Sequence, residues 1–143
     1  VIEKIVDYMS KRAAKSVEFK IVDKTEGDNH AMLNASLFEW VLENLIKNAL
    51  DAMEGVGKIC VKIDNISGVL IIDVSDSGKG IESHKIKSIF EPGFSTKKRG
   101  WGLGLTLSKR IIEEYHKGKI FVKESIIGKG TTFRIEFRKD VMN

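Results

Sequence analysis

The sequence predicts a mixed α/β domain, a mostly antiparallel sheet with helices stacked on one face. Three observations predict it. Helix-period and strand-period stretches alternate along the chain, the strand runs from Lys58 onward come as adjacent pairs joined by short turns, and both strong helices carry a wide apolar face. Strands that pair with their neighbours, with helices placed between the pairs, favour this arrangement over a doubly wound parallel sheet. With 143 residues, 42% of them hydrophobic and 31% charged, and a single proline, the chain has room for one folded domain, residues 1–143.

Val1 to about Ala14 sets Ile2, Ile5, Val6 and Met9 at helical spacing, which makes residues 1–15 a short amphipathic helix or the tail of an upstream element. Val17 to Val22 alternates as a strand, and the polar DKTEGDN that follows is a turn. His30 to Asn34 reads as a short second strand. Ser36 is then the expected N-cap of a long helix, since Glu39 stands where a capping box places it.

That helix, Leu37 to Met53, has no Gly or Pro inside it. Its apolar residues fill one half of the wheel, while Glu39, Glu43 and Lys47 lie opposite. At the border Asn44, Asn48 and Asp51 fall on one edge. Asn and Asp are poor helix-interior residues because their side chains compete for nearby backbone groups. The edge is either the solvated margin of a core helix or a working surface.

Lys58 to Ile66 and Val69 to Ser75, joined at Ser67 and Gly68, read as an antiparallel hairpin. It stops at DSGKGI, a weak helix from Glu82 to Ile89 follows, and EPGFSTKKRGWG reads as a loop. Leu103 to His116 is a second strong helix, its Leu105, Leu107, Ile111 and Ile112 facing the first, with Gly118 as its stop. Lys119 to Ser125 and Thr131 to Phe137 close the sheet around the turn IIGKG.

Composition narrows the function classes. The net charge of +4 permits nucleic-acid binding, but the basic residues are spread out, and only Lys97, Lys98 and Arg99 cluster. No nucleic-acid partner is expected. No apolar run reaches membrane-spanning length and no secretory signal opens the chain, so no membrane contact is expected either. A single cysteine, Cys60, excludes an internal disulfide and fits a reducing cytoplasm; its plain reading is a small buried apolar residue. The first residue is Val, and the chain is read as a fragment of something longer.

Two motifs carry chemistry. In Asp76-Ser77-Gly78-Lys79-Gly80 a strand ends in a carboxylate followed by glycines that let the backbone turn and approach a flat ligand. An ionised Asp only accepts hydrogen bonds, so it suits the exocyclic amine of adenine and repels the carbonyl of guanine; taken alone, the same tripeptide is equally a turn. In Gly100-Trp101-Gly102-Leu103-Gly104 three glycines precede a helix, leaving backbone N–H groups for phosphates. It is not the dinucleotide fingerprint, because Leu105 stands at the third glycine, and no P-loop occurs in the chain. Trp101 either caps the site or is a partly exposed aromatic. The Asn48 amide oxygen can serve Mg²⁺, which needs few protein ligands where phosphates supply the rest.

Taken together, the motifs resemble the catalytic ATP-binding domain of bacterial two-component sensor histidine kinases, in the superfamily shared with DNA gyrase, the Hsp90 chaperones and the MutL ATPases. ENLIKNALDAM is similar to the Asn box, DSGKGI, RGWGLGL and GKGTTF to the glycine boxes, and IFEPGFSTK to the Phe box. The resemblance implies a two-layer sandwich of the Bergerat type, with Asn48 on Mg²⁺ and Asn44 near the phosphates. Asp76 would hold the adenine amine, with Gly80 beneath the base, Gly78 and Thr131 nearby, and Asp51 at most in water-mediated contact. Gly100, Gly102, Leu103, Gly104 and Leu105 would border the phosphates. Residues 90–101, from Phe90, would form the ATP lid, with Lys97 or Lys98 reaching the terminal phosphate.

The resemblance implies transfer of the γ-phosphoryl group of Mg-ATP to a histidine on a separate dimerisation and phosphoacceptor domain, and a response regulator downstream. Asn44 stands where the gyrase and Hsp90 branches carry a water-activating Glu, and Glu43 points about 100° away, which favours transfer over hydrolysis. His30, His84 and His116 lack the acidic sequel of an acceptor, so the acceptor is expected before Val1. The alternatives are a gyrase- or Hsp90-like ATPase clamp, an anti-sigma-type serine kinase, and a non-catalytic nucleotide-binding regulatory module.

Overall fold

The computed structural model describes residues 1–13, 15–25, 34–92 and 104–138. In chain order they form α1 (Ile2–Arg12), β1 (Val17–Asp23), α2 (Ala35–Met53), β2 (Gly57–Ile66), β3 (Val69–Asp76), a 3-10 turn (Ser83–Lys85), α3 (Gly104–Arg110) running into a π-helical turn (Ile111–Tyr115), β4 (Lys119–Ile126) and β5 (Gly130–Arg138). The described strands make one five-stranded sheet in the order β1-β2-β3-β5-β4. β1 lies parallel to β2, joined to it through α2, and the other pairs are antiparallel.

Alternation along the central strands sets the layers. Ile59, Val61 and Ile63 of β2, Ile72 and Val74 of β3, and Phe133, Ile135 and Phe137 of β5 are buried, and being two residues apart they line one face. α2 covers that face with Phe38, Val41, Leu42, Leu45, Ile46, Ala49 and Met53. Phe38 meets Phe137 edge-on, ring centres 5.9 Å apart. α1 adds Ile5, Val6 and Met9 to the same core. On the opposite face Asp73 of β3 is buried and held by both forks of Arg134, Nε donating at 2.8 Å and Nη2 at 2.9 Å. The expected mixed, mostly antiparallel sheet with helices on one face is what the chain forms.

Several local expectations need correction. α2 begins at Ala35 and its cap is Asn34, whose side chain accepts from the Leu37 amide at 3.1 Å, so Ser36 lies inside the first turn. The reason is tertiary. The Asn34 backbone N–H donates to Nε2 of His116 at 3.0 Å, which fixes the residue where the helix starts. Asn34 is therefore not strand, and the rest of the strand expected at His30 lies outside the described residues.

The expected helix from Glu82 to Ile89 shrinks to the 3-10 turn, because its amides reach three residues back, as in Lys85 N–H to Glu82 O at 2.9 Å. The second strong helix is α only to Arg110. It then widens, so that the His116 amide bonds the Ile111 carbonyl, and His116 Nδ1 lies 2.9 Å from that same oxygen. The widened turn buries Ile112 and His116; in the regular helix before it Leu107 is exposed, against expectation, and Ser108 is buried. The left-handed residue that ends the segment is Lys117, φ 58°, rather than Gly118.

Candidate functional site

Asp76 ends β3 in the middle of the sheet, with Ile59 opposite on β2 and Thr131 opposite on β5. It shares the helix-covered face with Ile72 and Val74, which draws its carboxylate toward the core. One carboxylate oxygen accepts from the Gly78 amide at 2.8 Å. Burial pushes the Asp76 carboxyl above its ordinary value, and hydrogen bonds from the Gly78 and Thr131 amides pull it back down. A half-buried carboxylate with no salt bridge of its own among the described residues is an acceptor for an uncharged donor.

The loop after Asp76 is clamped from two sides. On one, Gly78 sits against α2: a Cβ there would lie 2.8 Å from the Ala52 carbonyl carbon and oxygen, and the Lys79 amide donates to Ala52 O at 3.1 Å. On the other, Gly80 has φ +80°, and a Cβ would lie 2.5 Å from the Ile126 carbonyl. The two glycines thus serve close contacts with the protein itself, and so set how near the loop lies to α2.

At the other end of the polar edge, Asn44 meets the start of α3. A Cβ on Gly104 would lie 2.6 Å from Asn44 Oδ1, so any larger residue there must displace this amide. Asn44 Nδ2 donates to Ser108 Oγ at 3.2 Å, and Ser108 Oγ donates to the Gly104 carbonyl at 2.8 Å. Asn44 and the last glycine of the second glycine box are therefore locked together. α2 carries Asn44 against α3 and Ala52, next to Asp51, against the Asp76 loop, roughly 12 Å apart along the axis at 1.5 Å per residue. Asn48 lies between them, half-buried, and Asp51 is exposed. Glu43 is turned away and pairs with Lys47 at 3.2 Å.

Thr131 is buried at the start of β5, directly beside Asp76. Phe90 lies edge-on to Phe133, ring centres 6.2 Å apart, and its carbonyl accepts from Thr106 Oγ1 at 2.8 Å, which ties the first residue of the expected lid to both β5 and α3. Leu105 packs half-buried against the core. Lys97, Lys98, Gly100, Trp101, Gly102 and Leu103 lie outside the described residues. Among the described residues, no group of three His, Cys, Asp or Glu side chains could hold a metal. A divalent ion would need ligand phosphates to complete its shell, a demand that fits a single amide donor such as Asn48.

Sequence reasoning missed Ser108. Its signal was present, since Leu105, Ser108 and Ile112 form one helical stripe and a hydroxyl within an apolar stripe asks for a partner. Two of the histidines are surface or packing residues, as expected: His84 is exposed beside Glu82 at 3.4 Å and His116 is buried in packing; His30 lies outside the described residues.

Comparison with known proteins agrees with this architecture. Residues 34–141 match the family described as histidine kinase-, DNA gyrase B-, and HSP90-like ATPase. Sporulation kinase E of Bacillus subtilis is 45% identical over 96 residues, 66% of this chain and 13% of that protein. Sensor histidine kinase ZraS of Salmonella typhimurium is 48% identical over 97 residues, 66% of this chain and 20% of that protein. The chain thus spans a fifth or less of the length of these relatives. The solved catalytic domain of histidine kinase ThkA superposes with a TM-score of 0.85 at 29% identity, covering 96% of this chain and 90% of that one. ThkA in complex with response regulator protein TrrA gives 0.81 at 27%, covering 96% and 39%. The chain belongs to the family of histidine kinase-, DNA gyrase B-, and HSP90-like ATPases, and the relatives it resembles within that family include sensor histidine kinases.

Proposed function

We propose that this chain is the ATP-binding catalytic domain of a two-component sensor histidine kinase, which binds Mg-ATP and passes the γ-phosphoryl group to a histidine on a separate dimerisation and phosphoacceptor domain. The observation that carries the reading is the single edge of α2 that meets the glycine-bearing start of α3 at Asn44 and the Asp76 loop beside Ala52. A ligand lying along it would have its base at Asp76 and its phosphates toward Gly104.

In this reading the Asp76 carboxylate accepts the adenine amine, Thr131 lies beside it, Gly80 lies beneath the base, and Gly78 holds the loop against α2. Asn44 and Gly104 border the phosphates together with Gly100, Gly102, Leu103 and Leu105. Asp51 contributes at most through water. Asn48 would hold Mg²⁺, which when bound neutralises the phosphate charge that builds up during transfer. Lys97 or Lys98, on a lid from Phe90 to Trp101, would add a point charge at the terminal phosphate. The chain's own part is positioning and electrostatic stabilisation.

Transfer is favoured over hydrolysis because neither candidate on α2 can activate water. Asn44 is an amide whose nitrogen is occupied by Ser108, and Glu43 faces Lys47 on the far side of the helix. The acceptor histidine and a response regulator are the implied partners. Calorimetric titration with a non-hydrolysable ATP analogue and its GTP counterpart, with and without Mg²⁺, tests the reading on the wild type and Asp76→Asn. Adenine-selective binding that collapses in the variant supports it; no preference for adenine in the wild type overturns it.

A further inference from the structure

The inner face of the sheet ends in a polar rung whose third member has no place in the reading above. Asp76, Thr131 and Ser125 stand side by side on β3, β5 and β4, in direct register. Ser125 Oγ lies 2.8 Å from Thr131 Oγ1 and accepts from the Ile81 amide at 2.8 Å. Ile81 follows Gly80, so one hydroxyl ties the threonine beside Asp76 to the loop that leaves Asp76.

Ser125 occupies that position because the strand is irregular. From Lys119 to Val122 each residue of β4 pairs regularly with β5, ending with Val122 opposite Phe133; then the register slips, and Glu124 pairs with Thr132. Lys123 is the extra residue, and its amine lies 3.8 Å from Asp73 on the outer face. Strict alternation from the inward Val122 would turn Glu124 inward and Ser125 out. The bulge reverses this, placing a hydroxyl beside Thr131 and leaving Glu124 exposed. A second carboxylate facing the same end of the face as Asp76 would oppose its ionisation. The neighbouring turn is held to the same loop, with the Gly128 amide donating to Lys79 O at 2.9 Å.

The geometry points to Ser125 as a positioning residue for adenine selectivity: through Thr131 Oγ1 and the Ile81 amide it holds the frame in which Asp76 meets the base. This rests on the adenine reading of Asp76. An internal control exists one residue away, where Ser75 and Thr132 form an equal hydroxyl pair at 2.8 Å on the opposite face of the same strands.

The test is titration of the chain with ADP and with inosine diphosphate, which carries a carbonyl in place of the amine, alongside thermal unfolding. Ser125→Ala is expected to weaken ADP binding roughly fivefold, the scale of one lost hydrogen bond, and to narrow the ADP-to-inosine-diphosphate ratio. Ser125→Thr, which keeps the oxygen, should restore both, and Ser75→Ala should alter neither. Should Ser125→Ala not fold, Ser125→Cys, whose thiol is a weak partner, carries the same comparison. A wild type that prefers ADP, with Ser125 variants that keep its affinity and ratio, overturns the inference and leaves the adenine reading standing. A wild type without preference overturns both.

Discussion

Gly104→Ala probes the contact between α2 and α3 on which the phosphate end of the site depends. The added methyl would lie 2.6 Å from Asn44 Oδ1, 3.0 Å from Nδ2 and 3.1 Å from Cγ. All three atoms belong to the end of one side chain, bound to Ser108 at 3.2 Å, so relieving the overlap means moving that amide. Rotating the amide out gives up that bond, about 0.5–1.5 kcal/mol. Keeping it forces the backbones apart, which costs about 1–3 kcal/mol. Against either stands the better helix propensity of alanine, at most about 1 kcal/mol and less at a first helical position. The cheaper route sets the cost, so the net expectation is a loss of about 0.5–1 kcal/mol, a fall of roughly 2–3 °C in Tm for a chain of this size. Thermal and urea unfolding of Gly104→Ala, Asn44→Ala and the double variant separate the terms. With Asn44 truncated the obstacle is gone, so adding Gly104→Ala should be neutral or slightly stabilising, a coupling of about 0.5–1.5 kcal/mol. An equal cost of Gly104→Ala in both backgrounds would refute the described contact.

Three further outcomes are expected. Because burial raises the Asp76 carboxyl above 3.8, the folded chain holds this proton to higher pH than the unfolded chain. Its contribution to stability is therefore greatest below pH 3.8 and declines as pH rises through the folded value. Wild-type Tm relative to Asp76→Asn should fall across that window, while ADP affinity rises; a flat difference in Tm would count against the shift. Asn48→Ala should weaken ATP-analogue binding with Mg²⁺ more than binding in EDTA, and equal losses in both would remove Asn48 as the metal's ligand. Arg134→Met leaves the buried Asp73 carboxylate, among the described residues, with only Lys123, at 3.8 Å, and should cost about 3 kcal/mol in urea unfolding, whereas the double variant with Asp73→Leu should recover most of it.

The parts of the fold that could be read in advance are those whose physics is local. α2 announces itself through an uninterrupted apolar arc, and the two hairpins through alternation broken at Ser67-Gly68 and at the IIGKG turn. Asp76 stands out because a strand run ends there in a carboxylate followed by glycines, although that tripeptide alone is equally a turn, and Asn44 because an amide in a helix interior runs against propensity. What escaped reading was set by contacts across the fold. Asn34 rather than Ser36 caps α2 because His116, 82 positions on, holds its amide. The helix after Gly104 widens at Ile111 to bury both Ile112 and His116, and a 3.6-residue period carries no trace of that. Ser125 faces inward only because Lys123 is an extra residue in β4, and alternation alone assigns it to the wrong face. Ser108 was visible as a polar residue in an apolar stripe, yet its partner, Asn44, lies 64 positions earlier.

The most direct test of the central claim is transfer of label from γ-radiolabelled ATP to a supplied pair of dimerisation helices carrying an acceptor histidine, with Mg²⁺, followed by acid and alkali treatment of the labelled acceptor. Label is expected on the acceptor, lost in acid and retained in alkali as a phosphohistidine behaves, and absent with Asp76→Asn. Label that survives acid, or release of free phosphate at the same rate whether or not the acceptor is present, would contradict the claim.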